Sequence, residues 1–196
     1  MDGAPVIERL VERMELAACS SIRVVTRPEK TDVRRYAEAR GLDVVLGHPA
    51  HIGESVSAGL AGTDEDLVAI GFPDSIWEPR EGFALLLDVL DADTDVVLGL
   101  FDFDDPERAD VVVLDERGRV RDILVKTSSP PSSLIWGCLV ARAAALRHIE
   151  RCAWPSDHLR PLVRAGSVGA RYLSDRYVDI GTPASLAHAR ERIGLG

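Results

Sequence analysis

Lysine is nearly absent from this chain. Its 196 residues contain two, Lys30 and Lys126, against 21 arginines. The bias fits genome composition, and it makes each lysine worth attention. Cysteine is scarce as well: Cys19, Cys138 and Cys152 are odd in number and lack C-x-x-C spacing. That argues against a disulfide framework and predicts reduced, buried thiols of a cytoplasmic protein. No apolar run approaches the roughly 18–20 residues a membrane span needs, and no charged-then-apolar leader opens the chain. The expectation is a soluble, unexported protein with no membrane partner. Positive charge is also in deficit. A formal charge of −9 disfavours nucleic acid as a partner, whereas local cations or a bridging metal still admit a small anion.

The remaining composition suits one domain over residues 1–196, since 46% of the chain is hydrophobic. Helical and strand patterns alternate. Residues 4–18 place Val6, Ile7, Leu10, Val11 and Met14 at helical spacing behind Pro5. Strands are predicted at 21–26, 43–46, 67–71 and 95–101. Helices are predicted from Thr31 or Asp32 to Arg40, over 54–60 and over 80–90. The run 109–126 reads as a hairpin turning at Glu116-Arg117-Gly118. A loop at 127–133 precedes a strand at 134–140, helices at 141–152 and 155–165, strands at 168–173 and 177–180, and a helix from Pro183. This succession predicts an α/β fold, a mixed and mostly parallel sheet with helices on both faces.

In such sheets ligands sit beyond the carboxyl ends of strands. The stretch LVAIGFPDSIWEP delivers one acid, Asp74, just past an apolar strand. It reads either as a loop acid or helix cap, or as a metal ligand. Asp179 in RYVDIGTPASL has the same setting, between a short strand and a Gly181-Thr182-Pro183 turn. Two such acids could hold one divalent cation, and Mg²⁺ favours a few carboxylates with phosphate oxygens and water.

The motifs FPDSIWEP, VVLDERGRVRDILVK, SSLIWGCLV and YVDIGTP, in that order, resemble the nucleoside-triphosphate transferases that make nucleotide sugars. The likeness runs from about Pro5 to Ile193 and points to the bacterial glucose-1-phosphate thymidylyltransferase-like branch. It implies a three-layer α/β/α, Rossmann-like fold and the reaction of an NTP with a sugar 1-phosphate, giving an NDP-sugar and pyrophosphate with Mg²⁺. By the same resemblance Asp74 and Asp179 are the catalytic, metal-binding acids. Lys126 matches the lysine that holds the sugar phosphate, and Gly137 joins the substrate-binding set. The acid that precedes this lysine in the family is Val125 here. In HPAHIGESVSAGL, His48 stands where the family has glutamine, and Gly53 at a helix start offers backbone N–H groups to a nucleotide. The stretch also resembles the loop of molybdenum-cofactor cytidylyltransferases, so the base stays open. Copies of the chain itself are a further partner left open.

The resemblance also implies a first strand and a Gly-rich triphosphate loop ahead of Asp2-Gly3-Ala4-Pro5. That strand would lie between 21–26 and 67–71, and without it each buried unpaired backbone group would cost roughly 1–3 kcal/mol. The expectation is therefore a true start roughly 25–45 residues earlier, with little or no turnover by the chain beginning at Met1. The rival is a short, catalytically silent binding or regulatory subunit.

Other chemistry-bearing residues have plainer readings. His48 and His51 have H-x-x-H spacing but no further ligands. His148 and Cys152 fall four apart on the expected helix by chance. Trp77 and Trp136 read equally as core or as ligand wall. Arg80, Arg119 and Arg121 are expected to be solvated partners of nearby acids.

Overall fold

The apolar spacing of the first helix dictates where it packs. The computed structural model describes residues 5–182 and Ser185. Residues 2–4 and nearly all of the expected helix from Pro183, including Arg190-Glu191-Arg192, lie outside the described residues. α1 (Val6–Leu16) follows Pro5 and buries Leu10 and Val11. β1 (Arg23–Thr26) and β2 (Asp43–Leu46) pair in parallel around α2 (Thr31–Ala39). Then come α3 (Ile52–Leu60), β3 (Leu67–Gly71), β4 (Ser75–Trp77), α4 (Gly82–Leu87) and β5 (Val96–Asp102). β6 (Asp110–Leu114) and β7 (Val120–Val125) form the expected hairpin, and β8 (Leu134–Arg142) comes next. The described elements end with α5 (Pro155–Ala165), β9 (Val168–Ser174) and β10 (Tyr177–Asp179).

β8 organises a six-stranded mixed sheet. β5 pairs along its whole length, while β3 and β6 share its other edge, β3 opposite Cys138–Arg142 and β6 opposite Ile135. β9 lies parallel to β5 on the far side. Alternation along β5 builds the layers. Val96, Leu98 and Leu100 face α5 and α3, whereas Val97 and Phe101 face α1 and α4. Side chains of period 2 on the strands thus meet one apolar stripe of each helix. The fold is α/β with helices on both faces, as the alternating pattern predicted. No helix among the described residues is long and apolar enough to cross a membrane.

Two expectations need correction. The helix expected at 141–152 does not form. Pairing with β3 and β5 carries β8 on to Arg142, and the N–H groups of Arg142 and Ala143 donate to Asp95 and Asp66 carbonyls at 2.8 Å. Beyond Arg142 the chain makes two 3₁₀ turns, Ala143–Leu146 and Ile149–Arg151, with left-handed His148 (φ 67°) between them. His148 and Cys152 therefore share no α-helix. β4 is not expected from the sequence, because its partner β10 lies 100 residues on.

Among the described residues, no strand pairs with the second edge of β1 or with the edge of β3 that faces away from β8. The segments that lead into the two strands touch. Ser20 Oγ donates to Glu65 Oε1 at 2.8 Å at their entrances. α3 packs on β1, with Gly59 against Val25, and its Val56 and Leu60 join the same core cluster as Val68 and Ile70 of β3.

A polar cluster ties α1 to α2. Glu8 accepts from Tyr36 Oη at 2.6 Å and pairs with Arg40 at 2.9 Å. The Tyr36 hydroxyl, with Arg40 assisting, holds the Glu8 carboxyl below its ordinary 4.5. A depressed folded-state pKa gives stability that is complete above the unfolded value and is lost as pH falls through the folded one. Glu8→Gln is therefore expected to cost roughly 0.5 kcal/mol at pH 7 in this solvent-screened setting. Urea melts should show that difference shrink as pH falls below the ordinary 4.5 and through the depressed folded-state value.

Candidate active site

The carboxyl end of β3 runs through Phe72 and Pro73 into Asp74, and the chain then turns back as β4. β10 pairs antiparallel with β4, Asp179 opposite Ser75, and Ile180 N donates to the Asp74 carbonyl at 2.8 Å. This ladder brings the two expected acids together. A Cβ placed on Gly181 would stand 3.1 Å from Asp179 Oδ1 and 3.1 Å from Asp74 Oδ2, so both carboxylates flank one point. Asp179 Oδ1 also accepts from Gly181 N at 2.6 Å. Asp74 keeps an exposed face, yet partial burial pushes its carboxyl above the ordinary value, and the charge of Asp179 adds to the rise. A pair of hard oxygen donors that repel one another suits a hard divalent cation. Among the described residues no group of three or more His, Cys, Asp or Glu side chains gathers as a metal site.

Lys126 sits at the same sheet edge. β7 ends at Val125 opposite Asp110, and β6 meets β8 at the end where β3 and β5 finish. Lys126 itself is exposed, with left-handed backbone (φ 42°), and its Nζ lies 3.7 Å from the Trp154 ring centre. Such contacts are worth about 0.5–1 kcal/mol at exposed sites, little enough for an anion to outbid.

The other expected residues lie differently. His48 is exposed and its Nε2 is 2.8 Å from Glu29 Oε1. Gly53 is buried in the first turn of α3, where a Cβ would come 2.1 Å from the Cys152 carbonyl oxygen. The start of α3 is capped from within: His51 Nδ1 accepts from Glu54 N at 3.3 Å, and Glu54 Oε2 accepts from Ala50 N at 2.7 Å. Gly137 is buried in β8, and a Cβ there would meet the Tyr177 ring at 2.4 Å. The structure therefore unites Asp74 with Asp179, sets Lys126 on their edge, and packs Gly53 and Gly137 against protein. Trp77 and Trp136 are both core residues, at 2% and 7% exposure. Arg80 and Arg119 pair with Glu12 and Asp115, as expected. Cys138 is buried, Cys19 and Cys152 are half-buried, and all three are free thiols.

Sequence reasoning missed three residues around Lys126: Asp110, Trp154 and Ser156. Asp110 carries the same signal as Asp74, an acid bordering an apolar strand, but its place in the hairpin hides it. A cavity of about 590 Å³ lies away from this edge, at the opposite end of β3, between Asp64–Asp66 and Arg142–His148.

The chain has the fold of a sugar-phosphate nucleotidylyltransferase-like protein. It is similar to a solved structure from Bacillus anthracis, assigned as a glucose-1-phosphate thymidylyltransferase and crystallised with sucrose. The TM-score is 0.83 at 19% identity, covering 95% of this chain and 81% of that one. No protein-family model and no curated protein matches the chain.

Proposed function

We propose that this edge carries nucleotidyl transfer: an NTP and a sugar 1-phosphate give an NDP-sugar and pyrophosphate. An oxygen of the sugar phosphate attacks the α-phosphorus, the bond to the β-phosphate breaks, and pyrophosphate leaves. No covalent enzyme intermediate is needed, so the protein's task is positioning and neutralising charge. The observation that carries this reading is the meeting of Asp74 and Asp179 beyond the end of β3. Their oxygens would hold Mg²⁺, which when bound neutralises charge on the reacting phosphates. Lys126 holds the sugar phosphate through a point-like, mobile ammonium. The Bacillus anthracis neighbour supports the reading at the level of fold.

The test is pyrophosphate release with each NTP, glucose 1-phosphate and Mg²⁺. Weak release, in keeping with the little turnover expected of this chain, that needs both substrates and disappears in Lys126→Ala is the expected result. NTP breakdown without sugar phosphate, or release indifferent to Lys126, would sink the proposal.

The open edges of β1 and β3 favour a second reading, a binding subunit whose slot receives a strand from a partner chain. It predicts sugar 1-phosphate binding without pyrophosphate release. Native mass spectrometry would show a hetero-assembly, and a bare monomer or homo-oligomer would count against it.

A further inference from the structure

Behind Lys126 a hydrogen-bonded chain of buried groups ends on a carboxylate whose second oxygen has no well-formed hydrogen bond, with the Lys126 backbone N–H nearby. Trp136 donates from Nε1 to Ser156 Oγ at 2.9 Å, and fully buried Ser156 donates to Asp110 Oδ2 at 2.5 Å. Asp110 Oδ1 is buried as well, and receives no hydrogen bond. Four separate segments converge here: Asp110 opens β6, Trp136 is in β8, Trp154 and Ser156 begin α5, and Lys126 directly succeeds β7. Burial pushes the Asp110 carboxyl up, while Ser156 and Lys126, through both its charge and its backbone N–H, pull against that rise.

An unfilled acceptor of this kind is a cost to folding, roughly 1–3 kcal/mol, that an apolar residue would avoid. Its placement beside an exposed lysine gives it a use. A bare phosphate or pyrophosphate drawn to Lys126 meets the like charge of Asp110 and brings little to donate. A sugar phosphate can set its phosphate on the ammonium and turn a ring hydroxyl toward Oδ1. Asp110 also stands directly opposite Val125 in the ladder. Residues opposite one another across two strands share a face, so its carboxylate lies on the side of the hairpin that Val125 leaves apolar.

We propose that Asp110 is the specificity-determining residue of the Lys126 site: Oδ1 accepts a ring hydroxyl of a sugar phosphate, and the carboxylate turns bare phosphate away. The inference rests on the sugar-phosphate reading above. It requires buried Oδ1 to be uncovered as well as Lys126 to swing off the Trp154 ring, a movement that the exposed four-carbon stem permits.

Calorimetric titration of the intact chain with glucose 1-phosphate, cyclohexyl phosphate and inorganic phosphate tests it. The wild type should bind glucose 1-phosphate at least about tenfold more tightly than cyclohexyl phosphate, which keeps a ring but lacks hydroxyls. Asp110→Asn should weaken glucose 1-phosphate by about tenfold and leave inorganic phosphate unchanged or tighter. A merely structural role would weaken both ligands together and so overturn the proposal. Equal wild-type affinity for the two ring phosphates would overturn it without any variant, and would leave the sugar-phosphate site standing. If the wild type binds no glucose 1-phosphate, the parent reading fails and this one falls with it.

Discussion

Saturating Mg²⁺ will raise the thermal midpoint of this protein, and Asp179→Asn will abolish the rise. At a free concentration about a hundredfold above the dissociation constant, a ligand of the native state adds about 2.7 kcal/mol. For a chain of this size that is a shift of roughly 5–10 °C. The physical basis is the cation-free pair itself. Asp74 and Asp179 flank one point, and the charge of Asp179 makes that of Asp74 less favourable to hold. A cation relieves that repulsion, whereas asparagine removes both the repulsion and the ligand. The variant should therefore match or slightly exceed the wild type without metal, and fall behind it with metal. In the pyrophosphate assay the same substitution should remove whatever release the wild type shows, since a bound cation contributes several kcal/mol at a reacting phosphate. Differential scanning fluorimetry across a Mg²⁺ series decides the matter. A wild type indifferent to Mg²⁺ would reduce Asp179 to a brace for its turn, through its bond to Gly181 N.

Gly53→Ala will destabilise the fold by roughly 3 kcal/mol, the upper end of ordinary overpacking costs. The new Cβ would lie 2.1 Å from the carbonyl oxygen of Cys152 and 2.5 Å from that of Ile149. Both obstacles are backbone, so no rotamer change relieves them. Either α3 moves or the Ile149–Arg151 turn does, and α3 is also the helix that packs on β1. Chemical denaturation should show a lower midpoint with the slope unchanged. A midpoint within about 0.5 kcal/mol of wild type would mean that the turn slides freely, and the reading of Gly53 as a packing glycine would be lost. The sequence alone suggests Gly53 as a nucleotide contact. A nucleotide contact at Gly53 would run through its backbone N–H, so nucleotide titration of the same variant tests that role separately from the midpoint.

How far the sequence can be read depends on how local each interaction is. The β6–β7 hairpin is legible because its strands, its turn and the Asp115 carboxylate that accepts from Arg117 and Arg119 all lie within 16 residues. α1 is legible from the helical spacing of Val6, Ile7, Leu10, Val11 and Met14, and α5 from that of Leu159 and Val163. The segment 141–152 is not, because its own residues favour helix while β3 and β5, far away in the chain, recruit its start into β8. Asp110 is visible as a residue but not as part of a site, since its partners Ser156 and Trp136 lie 46 and 26 positions off.

By itself the sequence determined the α/β class, the order of most elements, and the two acids and one lysine set at strand ends, because side-chain periodicity and turn chemistry act over a few residues. Only the tertiary structure decided that Asp74 and Asp179 meet, that Gly53 and Gly137 face protein, and that Asp110 lies beneath Lys126. Each of those facts is a contact between segments that local propensity cannot see, made when burying both faces of one sheet fixes which strand lies beside which.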